Sequence, residues 1–192
     1  GTRVLITLGG TREYLDPVRF LGNASSGKMG LALATAAFMR GAEVTLVAGA
    51  VETPLPNIFA RVEKVTSAQQ MLESAKEHFV NSDIAVFAAA VADFAPESPA
   101  TAKLASDQTP RLKLVKTPDI AAELGKTKKQ KQKTIGFALE TALDDAAIKR
   151  AHEKRADKNL DAIILNPVEN LGADAAAGLW LAGADNTELR GA

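Results

Sequence analysis

Short aliphatic runs alternate with longer stretches of helix-forming residues, and this alternation predicts most of the elements. Residues 3–8 (RVLITL) form a β-branched and aliphatic run that stops at Gly9-Gly10, the pattern of a buried strand ending in a turn. A polar loop follows, and residues 31–40 are rich in helix formers. Gly41 stands where a helix C-cap is expected. Residues 43–48 predict a second strand. Residues 60–65 predict a shorter, more exposed one, because Arg61, Glu63 and Lys64 interrupt its apolar positions. Thr66 or Ser67 caps a predicted helix running to about Phe79, with Met71, Leu72, Ala75 and Phe79 on one face. Residues 83–90 are apolar without alternation, which predicts a central strand covered on both faces.

Residues 91–116 break this rhythm with Asp93, Pro96, Ser98, Pro99, Lys103, Ser106, Asp107 and Pro110. So long an irregular segment inside a domain predicts a functional lid or a partly disordered segment, with 111–116 alternating as a strand that returns from it. Thr117 as N-cap and Pro118 in the first helical position predict a helix to near Gly125. A lysine-rich turn leads to a strand at 134–139, a helix at 142–158 and a strand at 161–166. The tail reads as a turn plus a last strand. Strands alternating with helices predict an α/β, Rossmann-like, doubly wound and mainly parallel sheet with helices on both faces. The expected organisation is a single domain over 1–192 with a lid loop at about 91–116. Ligands of such sheets bind at the carboxyl ends of the strands, at a switch point.

Composition narrows the function classes. The 192 residues suffice for one domain with a sizeable core. Lys+Arg and Asp+Glu number 23 each, so the excess positive charge of a general nucleic-acid binder is missing. There is no Cys, which excludes disulfides, thiolate metal sites and cysteine nucleophiles and fits a reducing, cytoplasmic setting. No apolar run reaches bilayer-spanning length. The chain starts without Met, as an excised domain would.

The chemistry concentrates at residues 9–30. A strand, a glycine turn and a helix entered through Ser25-Ser26-Gly27-Lys28 make the front of a nucleotide-type βα unit, whose free N–H groups and lysine favour an anion. Gly10 and Lys28 lie too far apart for a Walker A cradle, and the glycine spacing is not the dinucleotide fingerprint. The plain structural alternative is that Gly9 and Gly10 only turn the chain while Ser25 or Ser26 caps the helix.

Seven motifs occur in one order: GGTRE at 9–13, LDPVRF at 15–20, NASSGKMG at 23–30, AAVADF at 89–94, VKTPDI at 115–120, GFALET at 136–141 and KNLD at 158–161. Together they resemble the phosphopantothenoylcysteine synthetase domain of coenzyme A biosynthesis, which in bacteria follows a flavin-dependent decarboxylase. The resemblance implies a ligase, homodimeric in this family, that uses CTP and Mg²⁺ to join 4′-phosphopantothenate to cysteine through an acyl-cytidylate. It implies catalytic roles for Asn23, in the second step, and Lys103, on the nucleotide phosphates in the first. Gly9, Gly10, Asp93, Thr117, Pro118, Asp119, Ile120, Phe137, Lys154 and Lys158 match nucleotide-binding positions, the two lysines being the pair of the CTP-using type. Ser25, Ser26, Gly27 and Lys28 are assigned to the substrate phosphate. No metal ligands are expected from the protein.

Taken singly, Phe137 fits a core residue and Lys154 and Lys158, four apart, a solvated helix face. The sequence departs from the family after Lys103, where Leu104-Ala105-Ser106-Asp107 replaces the usual basic run; Lys113 and Lys116 are further cations able to share its role. The rival readings are a short-chain NAD(P)-dependent oxidoreductase and a nucleotide-binding module without catalysis. The first needs a Tyr-x-x-x-Lys pair, and the only tyrosine is Tyr14, in the first loop.

Overall fold

The aliphatic runs assemble around β1 (Arg3–Leu8), whose last five residues are all buried. The computed structural model describes residues 1–105, 111–170, 173, 177–183 and 185–190. Strand β1 pairs in parallel with β4 (Glu43–Ala48) on one side and β6 (Ile84–Phe87) on the other. Strand β5 (Arg61–Lys64) lies outside β4, while β9 (Lys133–Glu140) and β10 (Ala162–Pro167) extend the sheet beyond β6, all parallel. Two antiparallel strands, β11 (Ala177–Ala182) and β12 (Asp185–Arg190), complete an eight-stranded sheet. Counting only the six parallel strands in chain order gives 3-2-1-4-5-6, the dinucleotide-fold order, with its reversal between β1 and β6.

Side chains alternate across the sheet, so each face takes its own helices. Val4, Ile6, Leu8, Val44 and Leu46 pack with Ala34 of α1 (Lys28–Met39). On the opposite face, Leu5, Val47, Ala85 and Phe87 meet Met71, Leu72, Ala75 and Phe79 of α2 (Ala68–Phe79) and Ile120 and Leu124 of α3 (Ile120–Lys126). Ala147 and Ala151 of α4 (Asp145–Asp157) pack on Ala138, Ile163 and Leu165. Register places Ile163 across from Gly136 and Gly136 across from Phe87, so α4 shares the face of α2 and α3. Two ribbons stand off the sheet. One pairs β2 (Glu13–Tyr14) with β3 (Phe20–Leu21); the other pairs β7 (Phe94–Pro96) with β8 (Leu114–Lys116). No helix among the described residues is long and apolar enough to cross a membrane.

Several boundaries differ from the sequence pattern for identifiable reasons. Ser67 caps α2 in a reciprocal box with Gln70, as expected, and the buried Glu13 carboxylate also accepts from Ala68 N at 2.8 Å. Thr117 does not cap α3: its hydroxyl donates to Ala92 O, and Asp119 takes the cap, accepting from Ala122 N at 3.0 Å. Neither Ser25 nor Ser26 is the N-cap of α1. That residue is Gly27 at φ 77°, where an added Cβ would meet Val51 Cγ1 at 2.5 Å. The central strand stops at Phe87 rather than at residue 90. Beyond it the chain bonds only toward β1, Ala88 N donating to Thr7 O (3.1 Å) and Ala90 N to Gly9 O (2.8 Å). The long segment 91–116 begins and ends in the β7–β8 ribbon, and the tail supplies two strands rather than one. The expectations at Ser106 and Asp107 in the lid, and at Gly172 in the tail, fall outside the described residues.

Candidate active site

The parting of β6 from β9 opens a cleft at the carboxyl rim of the sheet. It is about 670 Å³ and is bounded by Thr7, Phe87, residues 89 and 91–94, residues 116–121, Gly136, Phe137, Lys154, Lys158, Leu160 and Ile163. Five segments distant in sequence therefore meet there. Asp93, Thr117, Pro118, Asp119, Ile120, Phe137, Lys154 and Lys158 all line it. Lys116 and Phe94 line it too. Both fall inside the AAVADF and VKTPDI motifs, but from sequence alone Lys116 has only the role of a spare cation and Phe94 has none.

The walls are fixed by hydrogen bonds rather than by regular structure. Thr117 is tied to Ala92 through its hydroxyl, and its N–H donates to Asp93 O at 3.1 Å. Ala92 N in turn donates to the buried Thr11 hydroxyl at 2.9 Å. The end of α4 is held against α3 by close backbone approach. A Cβ on Gly125 would lie 2.0 Å from Lys158 O, and Asn159 Nδ2 donates to Gly125 O at 2.8 Å. This packing delivers Lys158 Nζ to within 2.9 Å of Asp119 Oδ2. Lys154 reaches Glu140 at 3.5 Å, and Arg150 reaches the same carboxylate at 2.7 Å. The Arg150 hydrogen bond, assisted by Lys154 and opposed by burial, holds the Glu140 carboxyl below the usual range. The cleft thus presents Lys158 paired with an exposed carboxylate and Lys154 paired with a mostly buried one that it shares with Arg150.

Asn23 stands at the edge of the cleft rather than inside it: its Nδ2 donates to Val91 O at 2.9 Å, and Val91 is a wall residue. Gly9 and Gly10 lie behind the wall. Gly10 bridges Ala90 on the cleft side and Ala50 on the other. Ser25 and Ser26 accept from the N–H groups of Gly27 (3.3 Å) and Lys28 (3.4 Å), shaping the first turn of α1. None of these residues lines the cleft, and neither does Lys103. Lys103 is exposed on the segment following β7, where Ala100 N donates to Leu15 O at 2.8 Å. A second cleft of about 430 Å³ lies across Gly10, beyond the ends of β4 and β5, bounded in part by Arg12, Tyr14, Val51, Glu52 and Lys64. Arg12 lies over the Phe20 ring at 4.7 Å. Tyr14 bounds this second cleft and not the Asp93–Phe137 one, which weighs against the oxidoreductase reading. Among the described residues no group of three or more His, Cys, Asp or Glu could hold a metal ion.

Residues 1–187 match the model of the DNA/pantothenate metabolism flavoprotein C-terminal domain. The chain belongs to this family. A cysteine/cysteine sulfinic acid decarboxylase from an unknown prokaryotic organism is 48% identical over 90% of this chain and 48% of its own length. The coenzyme A biosynthesis bifunctional protein CoaBC of Mycobacterium tuberculosis is 38% identical over 98% of this chain and 47% of its own. The chain thus spans about half the length of the curated relatives it matches. Among solved structures, the C-terminal domain of a CoaBC superposes with a TM-score of 0.82 at 37% identity, covering 98% of this chain and 86% of that one. A Cab2 variant in complex with phosphopantothenate-cysteine superposes with a TM-score of 0.77 at 20% identity, over 98% of this chain and 80% of that one, a likeness of fold.

Proposed function

We propose that the chain is a phosphopantothenate–cysteine ligase domain, residues 1–192 with a lid at about 91–116, using CTP and Mg²⁺ in the cytoplasm and working in coenzyme A biosynthesis beside a flavin-dependent decarboxylase half. The observation that carries this reading is the convergence of Asp93, residues 117–120, Phe137, Lys154 and Lys158 on one cleft with Asn23 bonded to its wall. Family membership and the coenzyme A biosynthesis name of the CoaBC relatives support it.

In the first step a carboxylate oxygen of 4′-phosphopantothenate attacks the α-phosphorus of CTP. The Pα–O–Pβ bond breaks and pyrophosphate leaves. Bringing a carboxylate to a triphosphate demands positive charge, which Lys116, Lys154 and Lys158 offer in the cleft and Lys103 from the lid. Mg²⁺ brought in with the nucleotide would be held by phosphate oxygens and at most one or two protein carboxylates, for which Asp93 and Asp119 line the cleft, and it would supply positive charge against the triphosphate. In the second step the cysteine nitrogen attacks the acyl carbon, the bond to the phosphate oxygen breaks, CMP leaves and the amine loses a proton. Asn23 orients the acyl carbonyl for this attack. The first turn of α1, with Ser25, Ser26, Gly27 and Lys28, takes the substrate phosphate.

The working unit is a homodimer. Tyr14, Phe20, Phe94, Leu114 and Val115 leave apolar side chains exposed on the two ribbons, which touch through β2 and β7, and a second copy is the apolar partner that buries them. The test of the function is a pair of variants. Asn23→Asp should let the acyl-cytidylate accumulate, while Lys103→Gln should prevent its formation; an Asn23 variant that turns over cysteine at the parental rate overturns the assignment of the second step.

A further inference from the structure

Asp16 is a charged residue whose side chain is wholly buried, yet it lies outside the cleft. Its Oδ1 accepts from Val18 N at 2.8 Å and Arg19 N at 2.7 Å, closing the turn between β2 and β3. Its Oδ2 accepts from Leu104 N at 3.1 Å, a residue 88 positions further along the chain. The same oxygen lies 3.7 Å from Arg19 Nε, and Arg19 Nη2 donates to Leu104 O at 2.9 Å. Both backbone groups of Leu104 are therefore held by one ion pair. Four residues earlier, Ala100 N donates to Leu15 O. Lys103 sits between these two anchors on a segment with no helix or strand of its own.

A buried carboxylate is retained only where hydrogen bonds and charge compensate its lost hydration. The 15–19 turn could be closed by Oδ1 alone. The contact of Oδ2 with Leu104 adds nothing to that turn and fixes only the lid.

We propose that Asp16 is a positioning residue for the first half-reaction: it clasps the lid at Leu104 and so sets where Lys103 meets the nucleotide phosphates. This rests on the reading of Lys103 given above. Asp16 touches no reacting atom and acts through the backbone beside the lysine. A lysine on an irregular segment reaches one geometry only if the segment is tethered on both sides, and misplacement by about 1 Å can cost on the order of a hundredfold in rate.

The test uses the intact protein and separates the two half-reactions. Asp16→Asn keeps the side chain's shape but removes the charge and puts an amide N–H₂ where one acceptor oxygen stood. Leu104→Pro leaves Asp16 in place and removes the N–H it receives, while its ring also restricts the backbone at 103 and 104. Pyrophosphate release with saturating CTP and phosphopantothenate should fall about tenfold or more in both, with KM for CTP within about threefold of the parent, because the cleft itself is untouched. Cysteine-dependent consumption of preformed acyl-cytidylate should be unchanged, a split that general unfolding would not produce. Combining Asp16→Asn with Lys103→Gln should add little to Lys103→Gln alone. Pyrophosphate release at the parental rate in either single variant, while Lys103→Gln abolishes it, overturns the clasp. A fully active Lys103→Gln removes the reading of Lys103 and the clasp with it. Should Asp16→Asn fail to fold, Leu104→Pro decides alone.

Discussion

Removing the charge of Lys158 should weaken nucleotide binding far more than it weakens the fold. Its Nζ lies 2.9 Å from Asp119 Oδ2, with the two side chains 32% and 48% exposed. Ion pairs this exposed contribute about 0.2–1 kcal/mol, since water and salt screen them. Lys158→Gln should therefore lower the unfolding midpoint by no more than about 2–4 °C for a domain of this size. Asp119 does not lose its other role, because Oδ1 still caps α3 through Ala122 N. Against a nucleotide phosphate the same ammonium makes a charge-assisted hydrogen bond worth about 1.5–3 kcal/mol. At about 1.4 kcal/mol per decade this corresponds to a rise of roughly ten- to a hundredfold in KM for CTP. The assay is initial-rate pyrophosphate release with CTP varied, read beside thermal denaturation of the same preparation. Lys154→Gln should cost even less stability, because Glu140 keeps Arg150 at 2.7 Å. A Lys158→Gln enzyme whose KM for CTP stays within twofold of the parent, or one destabilised far beyond a surface pair, refutes the reasoning.

Three further outcomes follow from the packing and charges. Gly125→Ala would put a methyl 2.0 Å from Lys158 O, so it should destabilise by about 1–3 kcal/mol in thermal denaturation; an unchanged midpoint would show the contact between α3 and α4 to be slack. Burial acts to raise the Asp161 carboxyl, but the Thr134 N–H, Lys128 and the Thr134 hydroxyl outweigh it and hold it below the usual carboxylate range. Its contribution to stability is then complete above the unfolded value of about 3.9 and lost as pH falls through the lower folded value. The stability gap between the parent and Asp161→Asn should be flat near neutrality and shrink below about pH 4, and a gap that widens on acidification contradicts the sign. Phe94→Arg, at a side chain 49% exposed on the β7 ribbon, should leave the protein monomeric by light scattering at concentrations where the parent is dimeric; persistence of the dimer would remove the ribbons as its interface.

The centre of the parallel sheet was legible because β1, β4, β6 and β10 are largely aliphatic runs, and covered strands need no alternation. Met71, Leu72, Ala75 and Phe79 were legible on α2 because helical spacing and burial coincide. The boundaries that shifted did so where a side chain found a distant partner. Thr117 is spent on Ala92 O and yields the cap to Asp119, and nothing local announces a contact 25 positions away. The cleft residues were legible as motifs, but their assembly depends on β6 parting from β9, which strand composition does not encode. Asp16 belonged to a recognised motif, yet its contact with Leu104 spans 88 positions and leaves no periodic trace.

Gly10 bridges Ala50 and Ala90 at once, exchanging hydrogen bonds with Ala50 at 2.9 and 2.8 Å. Ala50, on the wall of the smaller hollow, is therefore tied through a single residue to Ala90, which sits between two wall residues of the larger. A molecule that shifted one wall would pull on a hydrogen-bonded strip that reaches the other, so neither chamber is remodelled in private.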